Sequence, residues 1–309
     1  MSLRIAFAGS PSVAVPALDA LIASRHEVVS VLSRQDSPVG RRRTLTPTPV
    51  AARAAEAGLT TIKSDRLDAA TSDRVLAGRP DLGVIVAYGG LVREPLLSGP
   101  RLGWINLHFS LLPRWRGAAP VQHAILAGDS ETGVTVFQLV PELDAGPVYA
   151  RVAEPIGRFQ TSGALLTRLA ELGAGVLAGV VDALDDGTAL VEPQHGEPSY
   201  AGKLSVVDGT IDWSLPAETI DRRIRAVSPE PGASTTLDGQ RFKILQAAPA
   251  REATALLPGQ VDLVERRVLV GTGEGAIELE RVTPFGKAPM PAADWYRGRP
   301  RDAGTVLGG

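Results

Sequence analysis

The chain has 309 residues, 32 Lys and Arg against 34 Asp and Glu, no cysteine and a formal net charge of −2. Zero Cys excludes a disulfide framework, a thiolate zinc or iron–sulfur site and a cysteine nucleophile, and four histidines (His26, His108, His123 and His195) leave little for a histidine-rich metal centre. The near balance of charge excludes a uniformly basic nucleic-acid coat but allows local basic patches.

The length suggests two domains or one large one. No stretch approaches 18 uninterrupted apolar residues, so no membrane span is expected. The start of the chain reads as a first strand and not as a signal peptide, which makes the cytoplasm the expected compartment. Leu3–Ala8 predicts that strand, and Val13–Ser24 has helical spacing. Glu27–Ser33 predicts a second strand, Pro49–Ala57 a helix, Leu59–Ile62 a short strand and Ser72–Ala77 part of a helix. Leu82–Tyr88 is almost continuously apolar, as a strand buried on both faces is. Trp104–His108 predicts another strand and Gly117–Ala127 a helix. Val134–Val140 and Val148–Pro155 read as an antiparallel pair at one edge, before a long helix over Ser162–Leu184. This alternation predicts an α/β fold with a mostly parallel sheet and helices on both sides.

Near Asp185 the texture changes, and 188–207 lack periodicity. That segment reads as a linker between a domain over 1–187 and another over 208–309. A helix over Pro216–Ala226 precedes short β-like runs at Ser234–Leu237, Arg241–Ala247, Gly259–Leu263, Arg267–Val270 and Ala276–Val282. Runs at this spacing predict a small β-barrel.

In open α/β sheets ligands bind beyond the carboxyl ends of the strands. That points to Gly9–Pro11, the loop after Ser33, Tyr88–Gly90 and the segment after Asn106. The first turn, Gly9-Ser10-Pro11-Ser12-Val13-Ala14, lacks the dinucleotide fingerprint G-x-G-x-x-G. Asn106 and His108, two apart on a strand, project to the same side. A neutral amide suits a developing oxyanion, and an imidazole moves protons near neutral pH. Alone, such a pair reads more readily as a hydrogen-bonded pair closing a strand.

Two further motifs follow: Ser110-Leu111-Leu112-Pro113-Arg114-Trp115-Arg116-Gly117 and Glu142-Leu143-Asp144-Ala145-Gly146. Together with Asn106-Leu107-His108 they resemble the folate-dependent formyltransferases, which join an Asn-x-His strand, an S-L-L-P-x-x-R-G loop and a later D-x-G turn. Phe7-Ala8-Gly9-Ser10-Pro11, Gly40-Arg41-Arg42-Arg43, Leu45-Thr46-Pro47-Thr48-Pro49-Val50 and Tyr200-Ala201 before Ile211-Asp212-Trp213 are similar to the branch that acts on charged initiator tRNA. The chain departs from the family at Phe109, where a small residue is more usual, and at Gly90, where an aliphatic one is.

The resemblance implies a Rossmann-like formyltransferase catalytic domain, a linker and a C-terminal β-barrel domain of OB type. It implies transfer of a formyl group from 10-formyltetrahydrofolate, a co-substrate, to the α-amine of methionyl-initiator-tRNA, with no metal. Asn106, His108 and Asp144 take the catalytic positions. Val86, Ala87, Tyr88, Gly89, Ser110, Leu111, Leu112 and Pro113 take those lining the folate. The α-amine, with a free-amine pKa of roughly 7.7–8, is largely unprotonated once the carboxyl is esterified. Its attack makes an oxyanion to which Asn106 and a protonated His108 are expected to donate. Asp144 is expected to orient His108 and to shuttle a proton through a water.

Residues 34–43 hold Arg34, Arg41, Arg42 and Arg43 against Asp36. A short charge run is ordinarily a solvated face, but this one lies at the site's rim, and Arg41, Arg42 and Arg43 are expected to meet the phosphates of the tRNA. A second basic stretch has Arg281, Lys287, Arg297, Arg299 and Arg301 against Asp294. The chain is expected to act as a monomer, away from membranes. The competing readings are another folate-dependent formyltransferase, such as one acting on a sugar amine, and a non-catalytic RNA-binding relative.

Overall fold

The computed structural model describes residues 2–40, 42–250, 255–299 and 304–309. Two compact units are present. The first comprises Met1–Pro120, Glu131–Pro155 and Leu166–Ala201, and the second Val121–Ser130, Ile156–Leu165 and Gly202–Gly309.

The chain opens with β1 (Arg4–Gly9), α1 (Val15–Ile22), β2 (Glu27–Ser33), β3 (Ser37–Val39), β4 (Thr44–Thr46), α2 (Pro49–Glu56), β5 (Thr61–Lys63), α3 (Ala69–Ala77) and β6 (Leu82–Val86). Then come β7 (Trp104–His108), β8 (Arg116–Gly117), α4 (Pro120–Ala127), β9 (Glu131–Gln138), β10 (Val148–Pro155), α5 (Ser162–Asp186) and β11 (Tyr200–Ala201). Among the described residues a seven-stranded sheet runs in the order β10-β9-β7-β6-β1-β2-β5. β7, β6, β1, β2 and β5 are parallel; β9 and β10 are antiparallel and lie at one edge, as expected. The chain leaves β1 toward β2 and returns to place β6 on its other side, so the direction of winding switches between β1 and β6.

Local sequence explains the elements. β6 is buried at every position, and its helix-flanked neighbours require an all-apolar run. Thr48 caps α2 by accepting from the Ala51 amide at 3.1 Å, with Pro49 in the first turn, and Asp68 caps α3 through the Thr71 amide at 2.8 Å. β6 ends two residues earlier than its apolar run, because Ala87 adopts φ +48° and leaves the ladder. α4 begins at Pro120 and not at Gly117, since Arg116 and Gly117 pair in parallel with Tyr200 and Ala201. α5 is long and apolar enough to cross a membrane by length and composition alone. Its Leu169, Leu177 and Val181 are fully buried, which is the pattern of a core helix.

The second unit continues with α6 (Ala217–Ala226), β12 (Ala233–Leu237), β13 (Gln240–Pro249), β14 (Gln260–Val264), β15 (Arg267–Gly271), β16 (Ala276–Thr283), β17 (Met290–Pro291), α7 (Ala292–Arg297) and β18 (Thr305–Val306). The sheet is antiparallel, ordered β12-β13-β16-β15-β14-β18, with β17 beside β16. After β18 the Gly308 amide donates to the Thr236 carbonyl of β12 at 2.9 Å, which nearly closes the sheet into a barrel. Ile220 and Ile224 on the apolar face of α6 join Phe242, Ile244 and Trp295 in its core.

Candidate active site

β7 positions the first two groups of the site. Asn106 stands opposite Phe137 and His108 opposite Thr135 on β9. Asn106 is half-buried, and His108 is 6% exposed. The His108 ring meets Phe137 edge-on, with centroids 6.4 Å apart. Its Nε2 lies 2.9 Å from the Trp115 carbonyl. A carbonyl only accepts, so Nε2 carries the hydrogen, and in the neutral ring Nδ1 presents a lone pair. Nδ1 lies 3.9 Å from Oδ2 of Asp144. Burial pushes the imidazole below its ordinary value, opposed by the Asp144 carboxylate and the Trp115 carbonyl. The resting ring is therefore neutral near pH 7. A neutral ring offers a lone pair at Nδ1 and not the second N–H that a protonated oxyanion donor would present.

Asp144 is 8% exposed and sits at φ +46°. Its Oδ2 accepts from the Gly117 amide at 2.7 Å, which aims the carboxylate at the imidazole. The loop after β7 is pinned from two sides. The Thr135 hydroxyl donates to the Ser110 carbonyl at 2.6 Å and accepts from the Leu112 amide at 3.2 Å. The Ser110 hydroxyl donates to the Arg114 carbonyl at 2.6 Å. From the other side, Ser199 Oγ accepts from the Trp115 amide at 2.9 Å, and the Ser199 carbonyl accepts from the Arg116 amide at 2.8 Å.

The positions expected to line folate fall into two groups at the carboxyl ends of β6 and β7, beside the winding switch. Val86 and Tyr88 are buried, while Ala87 and Gly89 are exposed with positive φ. The Tyr88 phenol donates to the Ser64 carbonyl at 2.8 Å, and burial pushes it up to about 12. Gly90 has a packing reason: a Cβ there would lie 2.5 Å from the Tyr88 ring. Ser110, Leu112 and Pro113 are buried and Leu111 is half-buried; the Leu112 side chain packs with Phe137 and Val148. Phe109 is buried as well.

Arg42 and Arg43 are exposed at the turn of the β3–β4 hairpin, and Arg41 lies outside the described residues. At its base, Arg34 pairs with Asp65 at 3.2 Å and Asp36 with Lys63 at 2.6 Å, so Arg34 is already engaged. In the second basic stretch Arg297 pairs with Asp294, and Arg299 with Asp238 at 2.6 Å; Arg301 lies outside the described residues. Two of the other histidines have structural partners: His26 accepts from the Leu3 amide and faces Asp182 at 3.1 Å, and His123 faces the Gly202 carbonyl at 3.0 Å, while His195 is exposed.

Residues 3–181 match the family described as formyl transferase, and residues 203–300 match the formyl transferase C-terminal domain. The chain belongs to the formyl transferase family. A methionyl-tRNA formyltransferase of Leifsonia xyli subsp. xyli is 56% identical over 296 residues, covering 96% of this chain and 97% of the relative. One from an Arthrobacter species is 53% identical over 305 residues, covering 99% of this chain and all of the relative. Solved structures share the fold. The N-formyltransferase of Helicobacter canadensis, in complex with folinic acid and dTDP-3-aminofucose, has a TM-score of 0.68 at 17% identity, covering 90% of this chain and 98% of that one. HypX of Aquifex aeolicus with tetrahydrofolic acid has a TM-score of 0.62 at 19% identity, covering 96% of this chain and 47% of that one.

Within this formyl transferase, sequence reasoning missed Thr135 and Gln194. Thr135 left a faint trace, since it falls in register with His108 on an apolar strand where a buried hydroxyl needs partners. Gln194 left none, as it lies in the stretch read as a linker.

Proposed function

We propose that this formyl transferase moves the formyl group of 10-formyltetrahydrofolate to the α-amine of methionyl-initiator-tRNA, for initiation of protein synthesis. The observation that carries this reading is identity above one half, along almost the whole chain, to relatives bearing that activity in their name. The exposed Arg42 and Arg43 at the turn of the β3–β4 hairpin support an acceptor with an extended phosphate backbone, as a tRNA has.

In this reading the free amine attacks the formyl carbon, the new C–N bond forms, and the carbonyl electron pair moves to oxygen. Asn106 donates to that oxyanion. His108 Nδ1 takes the proton that the attacking nitrogen sheds, and the Asp144 carboxylate stabilises the imidazolium. The same proton passes to N10 of the folate as the C–N10 bond breaks, releasing tetrahydrofolate. The backbone of Val86–Gly89 and Ser110–Pro113 lines the folate, and Arg41, Arg42 and Arg43 contact the tRNA.

In this reading catalysis belongs to 1–187 and the barrel to 208–309, with 188–207 linking them in sequence while the contacts of the first unit run on to Ala201. All three catalytic groups come from one unit of one chain, which supports a monomer, and the methionyl-tRNA activity named for the relatives supports a place in the cytoplasm, away from membranes. A formyl-transfer assay compares initiator Met-tRNA, elongator Met-tRNA and a sugar amine as acceptors. Initiator Met-tRNA is expected to be formylated fastest; formylation of the sugar amine alone would sink the reading.

A further inference from the structure

We propose that Gln194 is a positioning residue for formyl transfer: its carboxamide fixes the 144–146 turn and thereby holds the Asp144 carboxylate against His108. The proposal rests on the catalytic reading of Asp144 given above.

The bonding is complete on both ends of the amide. Gln194 Nε2 donates to the Asp144 carbonyl at 2.8 Å and to the Gly146 carbonyl at 2.9 Å. Its Oε1 accepts from Arg116 Nη2 at 2.7 Å and from Arg116 Nε at 3.3 Å. These four contacts also settle the orientation of the amide. Turned over, it would set its oxygen against two carbonyls and its NH₂ against a guanidinium that only donates.

The turn so held is not one that holds itself. Asp144 is in the left-handed region, which is uncommon for a non-glycine residue, and the bonds around it help to fix it there. The clamp also closes on itself. Arg116 grips Gln194 through its side chain, and the next residue, Gly117, donates its amide to the Asp144 carboxylate. One side of the loop thus fixes the backbone of Asp144 and its charge together. Gln194 in turn is anchored by its own segment, because Glu192 exchanges two backbone bonds with Val148, at 2.7 and 2.9 Å. The imidazole of His108 faces Asp144 at 3.9 Å, the Phe137 ring edge-on and the Trp115 carbonyl, so Asp144 is the charged group whose placement the clamp controls.

The test uses the full chain. Gln194→Met keeps the length and removes all four bonds, Gln194→Glu sets a carboxylate against two carbonyls, and Glu192→Ala serves as a control in the same segment. Gln194→Met is expected to lower kcat by about 10- to 100-fold with both KM values within about twofold, because it misplaces a reacting partner and not a binding surface. On an Asp144→Asn background the same change is expected to cost less than about twofold, since residues acting as a unit are not additive. An unchanged kcat, a loss confined to KM, or an equal loss on both backgrounds would overturn the proposal. Should Gln194→Met not fold, Gln194→Asn, one methylene shorter, is read in the same way. A readout without turnover separates this proposal from the choice of acceptor. The His108 imidazole titration followed by NMR is expected to move to lower pH in Gln194→Met as the carboxylate swings away, and an unmoved titration counts against the clamp whatever amine the wild type formylates.

Discussion

His108 sits where burial and a carboxylate pull its proton affinity in opposite directions, with burial the stronger. In the unfolded chain the ring titrates near 6.5; in the fold it titrates lower. Its contribution to stability is therefore complete above pH 6.5 and declines as pH falls toward the folded value, where only the unfolded chain has gained a proton. The acidic limb of kcat/KM is expected below pH 6.5. Asp144→Asn removes the influence that raises the ring and should move that limb further down in a pH–rate profile; a limb moving up would refute the assignment. Asn106→Ala removes one oxyanion donor and is expected to lower kcat about 10²- to 10³-fold, read in single-turnover assays, with folate KM little changed. Asn106 and His108 were legible because two side chains two residues apart on a strand must share a face. Thr135 and Gln194 were not, because their partners are backbone carbonyls and amides and, for Gln194, the Arg116 side chain 78 residues away, pairings that no sequence spells out.

The ends of the elements shape the site more than their interiors. β6 was read through to Tyr88, yet it stops at Val86 and passes a left-handed Ala87, freeing the next residues to stand at the sheet's edge. Apolar character alone extends a strand; departure from the ladder is a backbone event. The segment between β2 and α2 shows the converse, since its exposed positions carry no burial pattern, yet Ser37–Val39 and Thr44–Thr46 pair as a hairpin. That hairpin presents Arg42 and Arg43 at its turn. Replacing both with Ala is expected to weaken tRNA binding and to make the slope of log affinity against log salt shallower by about 1.4–1.8, with kcat at saturating tRNA unchanged. A slope equal to wild type in filter-binding titrations would remove the hairpin from the interface.

Across the whole molecule two units divide the chain, and the first runs on to Ala201, past the change of texture near Asp185. What periodicity did not show is that 121–130 and 156–165 belong with the barrel unit, because membership is decided by long-range packing. The barrel depends on its last strand. Leu307 is 2% exposed, its amide donates to the Gly259 carbonyl, and the neighbouring Gly308 ties back to Thr236. Leu307→Ala is expected to destabilise this unit by about 2–5 kcal/mol in denaturant melts. The stretch from Glu192 to Ala201, which clamps the Asp144 turn and straps the loop after β7, carries a consequence for the chain's own birth. It is the last part of the first unit to leave the ribosome, at about 5–20 residues per second. Every strand of the main sheet has been synthesised by Pro155. A nascent chain can therefore own a finished sheet with Asn106, His108 and Asp144, and still lack the bonds that Ser199 and Gln194 make to the two loops around them until some 46 further residues (155 to 201) have emerged.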